Sequence, residues 1–183
     1  MGRWFGRRFR PPVEAVGAGQ YVVRLDADEL GLVRDLAHQL RDLLVRGDPH
    51  DERMRRLFPV AYHDDPERDA EYQRLMREDL VASRLAAIEL LDQVLLGRGD
   101  EPSADAEAMT EAVTETVLDE EQITALLHAV NSLRLVLGTL LDVGEDEDPT
   151  VLADDHPHLG EHHLYGWLSW LLEWTVRALS AGR

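Results

Sequence analysis

Five side chains able to bind a metal fall within eight residues in the segment His156-Pro157-His158-Leu159-Gly160-Glu161-His162-His163. A His-x-His pair in extended backbone can chelate one ion, and imidazole combined with carboxylate suits zinc or nickel. His156, His158, Glu161 and His162 are the residues that would ligate. Adjacent His162 and His163 would point in different directions at a helix start, however. The segment therefore reads first as a solvated loop able to pick up metal adventitiously. No metal and no cofactor is assigned to it.

A second constellation, His63-Asp64-Asp65, follows Tyr62. Two carboxylates beside an imidazole could support acid–base chemistry or hold Mg²⁺. Capping is the simpler reading. Asp65 precedes Pro66, a residue suited to the first helical turn, and Asp64 would favour the positive end of that helix. The third constellation is Arg84, Asn131 and Arg134, polar residues on or beside apolar helix faces. Together they could hold an anionic group; more often such residues make interhelical hydrogen bonds while the Arg stem lies along apolar surface.

Two surfaces could meet a partner. The first ten residues, MGRWFGRRFR, interleave Arg3, Arg7, Arg8 and Arg10 with Trp4, Phe5 and Phe9. Such an arm, over residues 1–12, could stack on bases, lie on an anionic membrane or dock on an acidic partner. A frayed terminus, or an arm folded on its own acidic body, is the plainer expectation. Trp167, Trp170 and Trp174 form an aromatic stripe, for which core packing outweighs an exposed interface.

Composition narrows the chemistry. The 183 residues include no Cys, which excludes disulfides, thiolate catalysis and cysteine-ligated zinc. All 19 basic residues are Arg, so no Lys-based Schiff base or P-loop contact is available. A net charge of −17 opposes nucleic-acid binding except through the arm. No apolar run approaches the roughly 18–20 residues that span a bilayer. The basic N-terminus lacks the apolar stretch of a signal peptide. The expected compartment is the cytoplasm, the expected activity non-enzymatic.

The elements that would position these groups contain an apparent repeat. Residues 22–44 read VVRLDADELGLVRDLAHQLRDLL, and residues 115–137 read ETVLDEEQITALLHAVNSLRLVL. Each copy is an extended run, a Leu-Asp pair and a long amphipathic helix. Asp26 with Glu29, and Asp119 with Gln122, have the spacing of a capping box. Behind the caps, Leu30, Val33, Ala37, Leu40 and Leu44 align with Ile123, Leu126, Val130, Leu133 and Leu137, one apolar stripe per helix. The two strands are expected to pair and set their helices side by side.

Around this repeat the pattern predicts a first strand at Val13–Val16 and a turn at Gly17-Ala18-Gly19. A short helix should start at Asp48-Pro49, and a helix from Pro66 should break near Arg77-Glu78 before resuming. Mobile loops are expected near 98–108 and 142–160, and a last helix from about Glu161. The fold class is mainly α. A single domain over 13–183 would hold five to six helices with a small antiparallel sheet of two or three short strands.

Four stretches, LFPVAYHDD (57–65), EYQRLMREDLVASR (71–84), AVNSLRLVLG (129–138) and LYGWLSWL (164–171), resemble an actinobacterial family of uncharacterised proteins. It is the domain-of-unknown-function family two thousand and seventeen, and the resemblance covers nearly the whole chain. It implies a small, mostly helical cytoplasmic protein. The family's gene often lies near that of the ClpS adaptor, which delivers substrates to the Clp protease. The resemblance therefore points to an interaction or regulatory protein, with a Clp-system component or a second copy of the chain as conceivable partners. A DNA-associated regulator using the arm, and more weakly a metal-dependent enzyme at the His-rich segment, are the alternatives. The resemblance brings no catalytic residues with it.

Overall fold

A computed structural model of the chain describes residues 9–48, 51–96, 113–144 and 156–182. Three strands, β1 (Val13–Gly17), β2 (Gln20–Leu25) and β3 (Thr114–Leu118), form an antiparallel sheet in that order. Four long helices accompany it: α1 (Ala27–Arg46), α2 (Pro66–Leu91), α3 (Glu120–Leu140) and α4 (Leu159–Ala181). The remaining helical pieces are a single 3-10 turn at Glu52–Met54 and a π-turn at Asp92–Leu96. Among the described residues there are thus four α-helices where five to six were expected.

Part of that difference lies in α2, which runs unbroken through Arg77-Glu78. Nothing between Glu67 and Leu91 is Gly or Pro, so no backbone feature ends the helix there. The first half of the helix presents little to the core, and Leu75 is 57% exposed. The short helix after Asp48 reduces to the 3-10 turn, capped by Asp51. The last helix begins at Leu159, slightly before Glu161.

Both capping boxes form. The Asp26 Oδ1 accepts from the Glu29 N–H at 2.8 Å, and Glu29 Oε2 accepts from the Asp26 N–H at 2.9 Å. The matching pair at Asp119 and Gln122 closes at 2.9 and 3.0 Å. Each box satisfies two helix-end donors that otherwise lack partners. The two strands before the boxes also pair, Tyr21 opposite Leu118 and Leu25 opposite Thr114.

That antiparallel register has a consequence the repeat does not carry. It launches α1 and α3 from opposite ends of the sheet, so each finds its main partner elsewhere. The α3 helix is central and packs chiefly on α4 and α2, with only a smaller contact to α1. Its Ile123, Leu126, Val130 and Leu133 meet Val33, Ala37, Leu40 and Leu44 of α1, Leu168 and Leu171 of α4, and the inner sheet residues Tyr21, Val23 and Leu25 in one core. Each large side chain so buried contributes about 1.5–3 kcal/mol of transfer free energy.

Central position also explains the composition of α3. It is long and apolar enough to cross a membrane by those two criteria alone, unlike what the interrupted apolar runs suggest. Half of its most apolar window is buried within the protein, which is what a helix surrounded by neighbours requires.

At the hairpin between β1 and β2, Ala18 and Gly19 both have positive φ, 54° and 72°. Two left-handed residues in sequence match the right-handed twist of the flanking strands, as in a type I′ turn. On the outer sheet face Arg24 bridges three strands, donating to Glu14 at 2.9 Å and to Glu115 at 3.0 Å. The hydrogen bond from Arg24 holds the Glu115 carboxyl below its ordinary range.

Candidate functional site

The sequence-selected polar residues separate into two sites. Arg84, on α2, donates from Nη2 to the Leu57 carbonyl at 2.8 Å and from Nη1 to the Leu80 carbonyl at 3.1 Å. Its guanidinium lies over the Phe58 ring at 5.2 Å, and Arg77 lies over the same ring at 4.3 Å. The Arg84 Nε is buried with no acceptor among the described residues. Burial without an adjacent carboxylate lowers the pKa of this guanidinium.

Arg134 belongs to the α3–α4 contact instead. Its Nε donates to the Ser169 Oγ at 3.0 Å, and its guanidinium lies 5.3 Å from the Tyr165 ring centre. Asn131 is on α3 one turn earlier, half-buried, its side chain without a hydrogen bond among the described residues. The expected three-residue cluster is therefore not one network. Arg84 fixes the 57–62 connector to α2; Arg134 ties α3 to α4.

Arg56 is a participant that sequence reasoning missed. It donates from Nη2 to the Val143 carbonyl at 2.6 Å, across 87 residues. Helix α3 has no basic residue in its last turn, and a guanidinium there offsets the negative end of the helix. Gly138 makes room for it. A Cβ at that position would stand 3.0 Å from both the Arg56 Nη1 and the Tyr165 Cε2. No local pattern flags Arg56, because its partner is distant in sequence.

The His-rich segment holds its rings near one another. The His156 ring lies 5.4 Å from that of His162 and 6.2 Å from that of His158. The His158 Nδ1 is 3.6 Å from Glu161. The Glu161 carboxyl falls below its ordinary range, first through its own backbone N–H and then through His158. Among the described residues, no group of three or more His, Asp or Glu side chains is arranged to hold a metal. At the other acidic constellation Asp65 caps α2, accepting from the Arg68 N–H at 3.0 Å, while His63 and Asp64 are exposed.

Of the N-terminal arm, Arg3, Trp4, Arg7 and Arg8 lie outside the described residues. Its last part docks on the body. Phe9 meets Trp174 at 5.6 Å between ring centres, and Arg10 pairs with Glu115 at 3.0 Å. The tryptophan stripe divides. Trp167 and Trp174 pack against the core, whereas Trp170 is 37% exposed. Trp167 also reaches across to α1, its Nε1–H donating to Glu29 Oε1 at 3.3 Å.

These contacts define a helical protein whose described polar sites are arginines set against aromatic rings and backbone carbonyls. The chain belongs to the family described as "Domain of unknown function (DUF2017)", which matches residues 7–179. It is 31% identical over 149 residues to the "Oxidative stress regulator AosR" of Mycobacterium tuberculosis and of Mycobacterium bovis, covering 74% of this chain and 61% of each relative. A "Putative oxidative stress regulator AosR" of Mycobacterium leprae is also 31% identical, over 135 residues, covering 73% of this chain and 60% of that protein. The chain thus spans about three fifths of the length of the curated relatives it matches. No solved structure matches it.

Proposed function

We propose that this chain is a non-enzymatic regulatory protein of the oxidative-stress response, acting in the cytoplasm through contacts with a protein partner. The observation that carries this reading is the 31% identity, over 74% of the chain, to proteins named as oxidative stress regulators. The polar sites support it. Arg84 is held by carbonyls and a ring, and Arg134 by a ring and the Ser169 hydroxyl, whose own proton goes to the Tyr165 carbonyl. Contact with DNA through the arm is the weaker reading, since Phe9 and Arg10 are engaged by Trp174 and Glu115 on a body of charge −17.

The proposal carries a chemical condition. With no Cys in its sequence, this chain cannot register oxidant through a thiolate or disulfide of its own. The oxidant signal must then enter through the partner or through another group. The test compares transcript profiles after peroxide in cells with and without the gene, with re-expression as control. Altered induction of oxidant-response genes, restored on re-expression, is expected. Indistinguishable profiles would overturn the reading. Co-purification from the same cells identifies the partner, and recovery of a Clp component there would connect the protein to proteolysis.

A further inference from the structure

Acidic residues outnumber basic ones 36 to 19 in this chain, so an arginine near the surface normally meets a carboxylate. Arg74 on α2 does so, bonding Glu71 at 2.8 Å. The other three arginines of the same helix do not: Arg68 lies over the Tyr62 ring, and Arg77 and Arg84 converge on another. Arg77 and Arg84 are two turns apart, so they share one helix face, and both lie over the ring of Phe58. Neither has an acidic partner among the described residues. The Arg77 guanidinium makes no hydrogen bond there, and Arg84 keeps a buried Nε donor without an acceptor.

Two like charges on one ring repel each other, and partial burial reduces the screening that water would give. The Arg77 guanidinium over the ring has its in-plane N–H groups unpartnered among the described residues, and that fork matches the oxygens of a carboxylate or phosphate; Arg84, whose Nη1 and Nη2 each give one N–H to a carbonyl, retains the second N–H of each. An orphaned donor on a desolvated cation calls for an acceptor that the described residues do not supply.

We propose that the Arg77–Phe58–Arg84 face is a binding site for an oxyanion, a carboxylate or a phosphate group, held between the two guanidiniums. The ring of Phe58 forms the floor, only 8% exposed. The bond from Arg84 to the Leu57 carbonyl fixes the connector that carries that floor. This site is independent of the regulatory reading and stands or falls on binding alone.

Calorimetric titration of the full chain with inorganic phosphate and with a hexaglutamate peptide tests the proposal. At least one probe should bind, and Arg77→Gln should weaken that binding about tenfold, the loss expected for one charge-assisted bond. Arg41→Gln, which changes an exposed arginine of α1 whose side chain has no hydrogen bond, ion pair or ring contact among the described residues, should leave binding unchanged. Peptide binding without phosphate binding identifies a carboxylate ligand, and the converse identifies phosphate. Arg84→Gln should also weaken binding; because it removes a bond to the connector, Arg77→Gln is the deciding variant. Failure of both probes, equal binding by Arg77→Gln and the intact chain, or equal weakening by Arg41→Gln would overturn the proposal.

Discussion

Replacing Glu29 with Ala should destabilise the protein more than replacing Gln122, although both residues occupy the same position of a capping box. Each change removes the bond back to its N-cap backbone, to Asp26 in one case and Asp119 in the other. For a neutral acceptor such as Gln122 that bond contributes about 1 kcal/mol. Glu29 adds a negative charge in the first turn of a helix, about 0.3–1 kcal/mol, and a further bond from the Trp167 indole whose 3.3 Å length places it at the weak end. Half-exposure of Glu29 keeps the total modest. The expected losses are roughly 2–2.5 kcal/mol for Glu29→Ala and about 1 kcal/mol for Gln122→Ala. For a domain of this size the melting temperatures should fall by roughly 4–10 °C and 2–4 °C respectively. Far-UV circular dichroism during thermal and urea denaturation measures both. A double-mutant cycle with Trp167→Phe isolates the indole bond and should show a coupling of roughly 0.5 kcal/mol or more. Equal destabilisation by the two changes, with no coupling to Trp167, would refute the reasoning.

Three further outcomes follow from local geometry. Ala18→Asn should raise the urea midpoint by about 0.5–1 kcal/mol in stability, because Asn tolerates the left-handed conformation that Ala18 adopts at φ 54°; a lowered midpoint would contradict the turn assignment. The carboxyl of Asp51 should titrate at about 2 instead of 3.8, through its hydrogen bonds from the Arg53 side chain and backbone N–H, and should rise only part of the way to the ordinary value in Arg53→Gln, which keeps the backbone bond. Since the folded value is the lower one, its stabilising effect is present above 3.8 and is lost as pH falls toward about 2, which carboxyl-detected NMR can follow. Phe9→Ala should shift tryptophan emission by uncovering Trp174, at a stability cost of about 0.5 kcal/mol given that Phe9 is 69% exposed; an unchanged spectrum would mean that the arm does not dock there.

Much of the scaffold was legible because its causes are local. The Leu-Asp caps, the Gly17-Ala18-Gly19 turn and the apolar stripes of α1 and α3 depend on residues within a few positions of one another, and all three formed. The supposed break in α2 failed for the opposite reason. A polar, weakly amphipathic stretch leaves little periodic signal, and Phe58 with its two arginines lies against it from outside. Arg84 and Arg134 were recognisable as polar residues on helices. Their assignment to separate contacts was not, because helix-face position does not say which neighbour the face meets.

The sequence by itself determined the class of fold, the positions of both capping boxes, the family, and the absence of any cysteine chemistry. These follow from residue identity and short-range spacing. Tertiary structure alone decided that the paired units diverge from opposite ends of the sheet, since antiparallel register is a relation between strands 90 residues or so apart. It also decided that Arg56 reaches the end of α3, that Trp167 bonds Glu29, and that Arg77 and Arg84 share one ring with no carboxylate paired to either among the described residues. Each of those contacts joins residues that chain connectivity leaves apart, and the packing of the core brings them within reach.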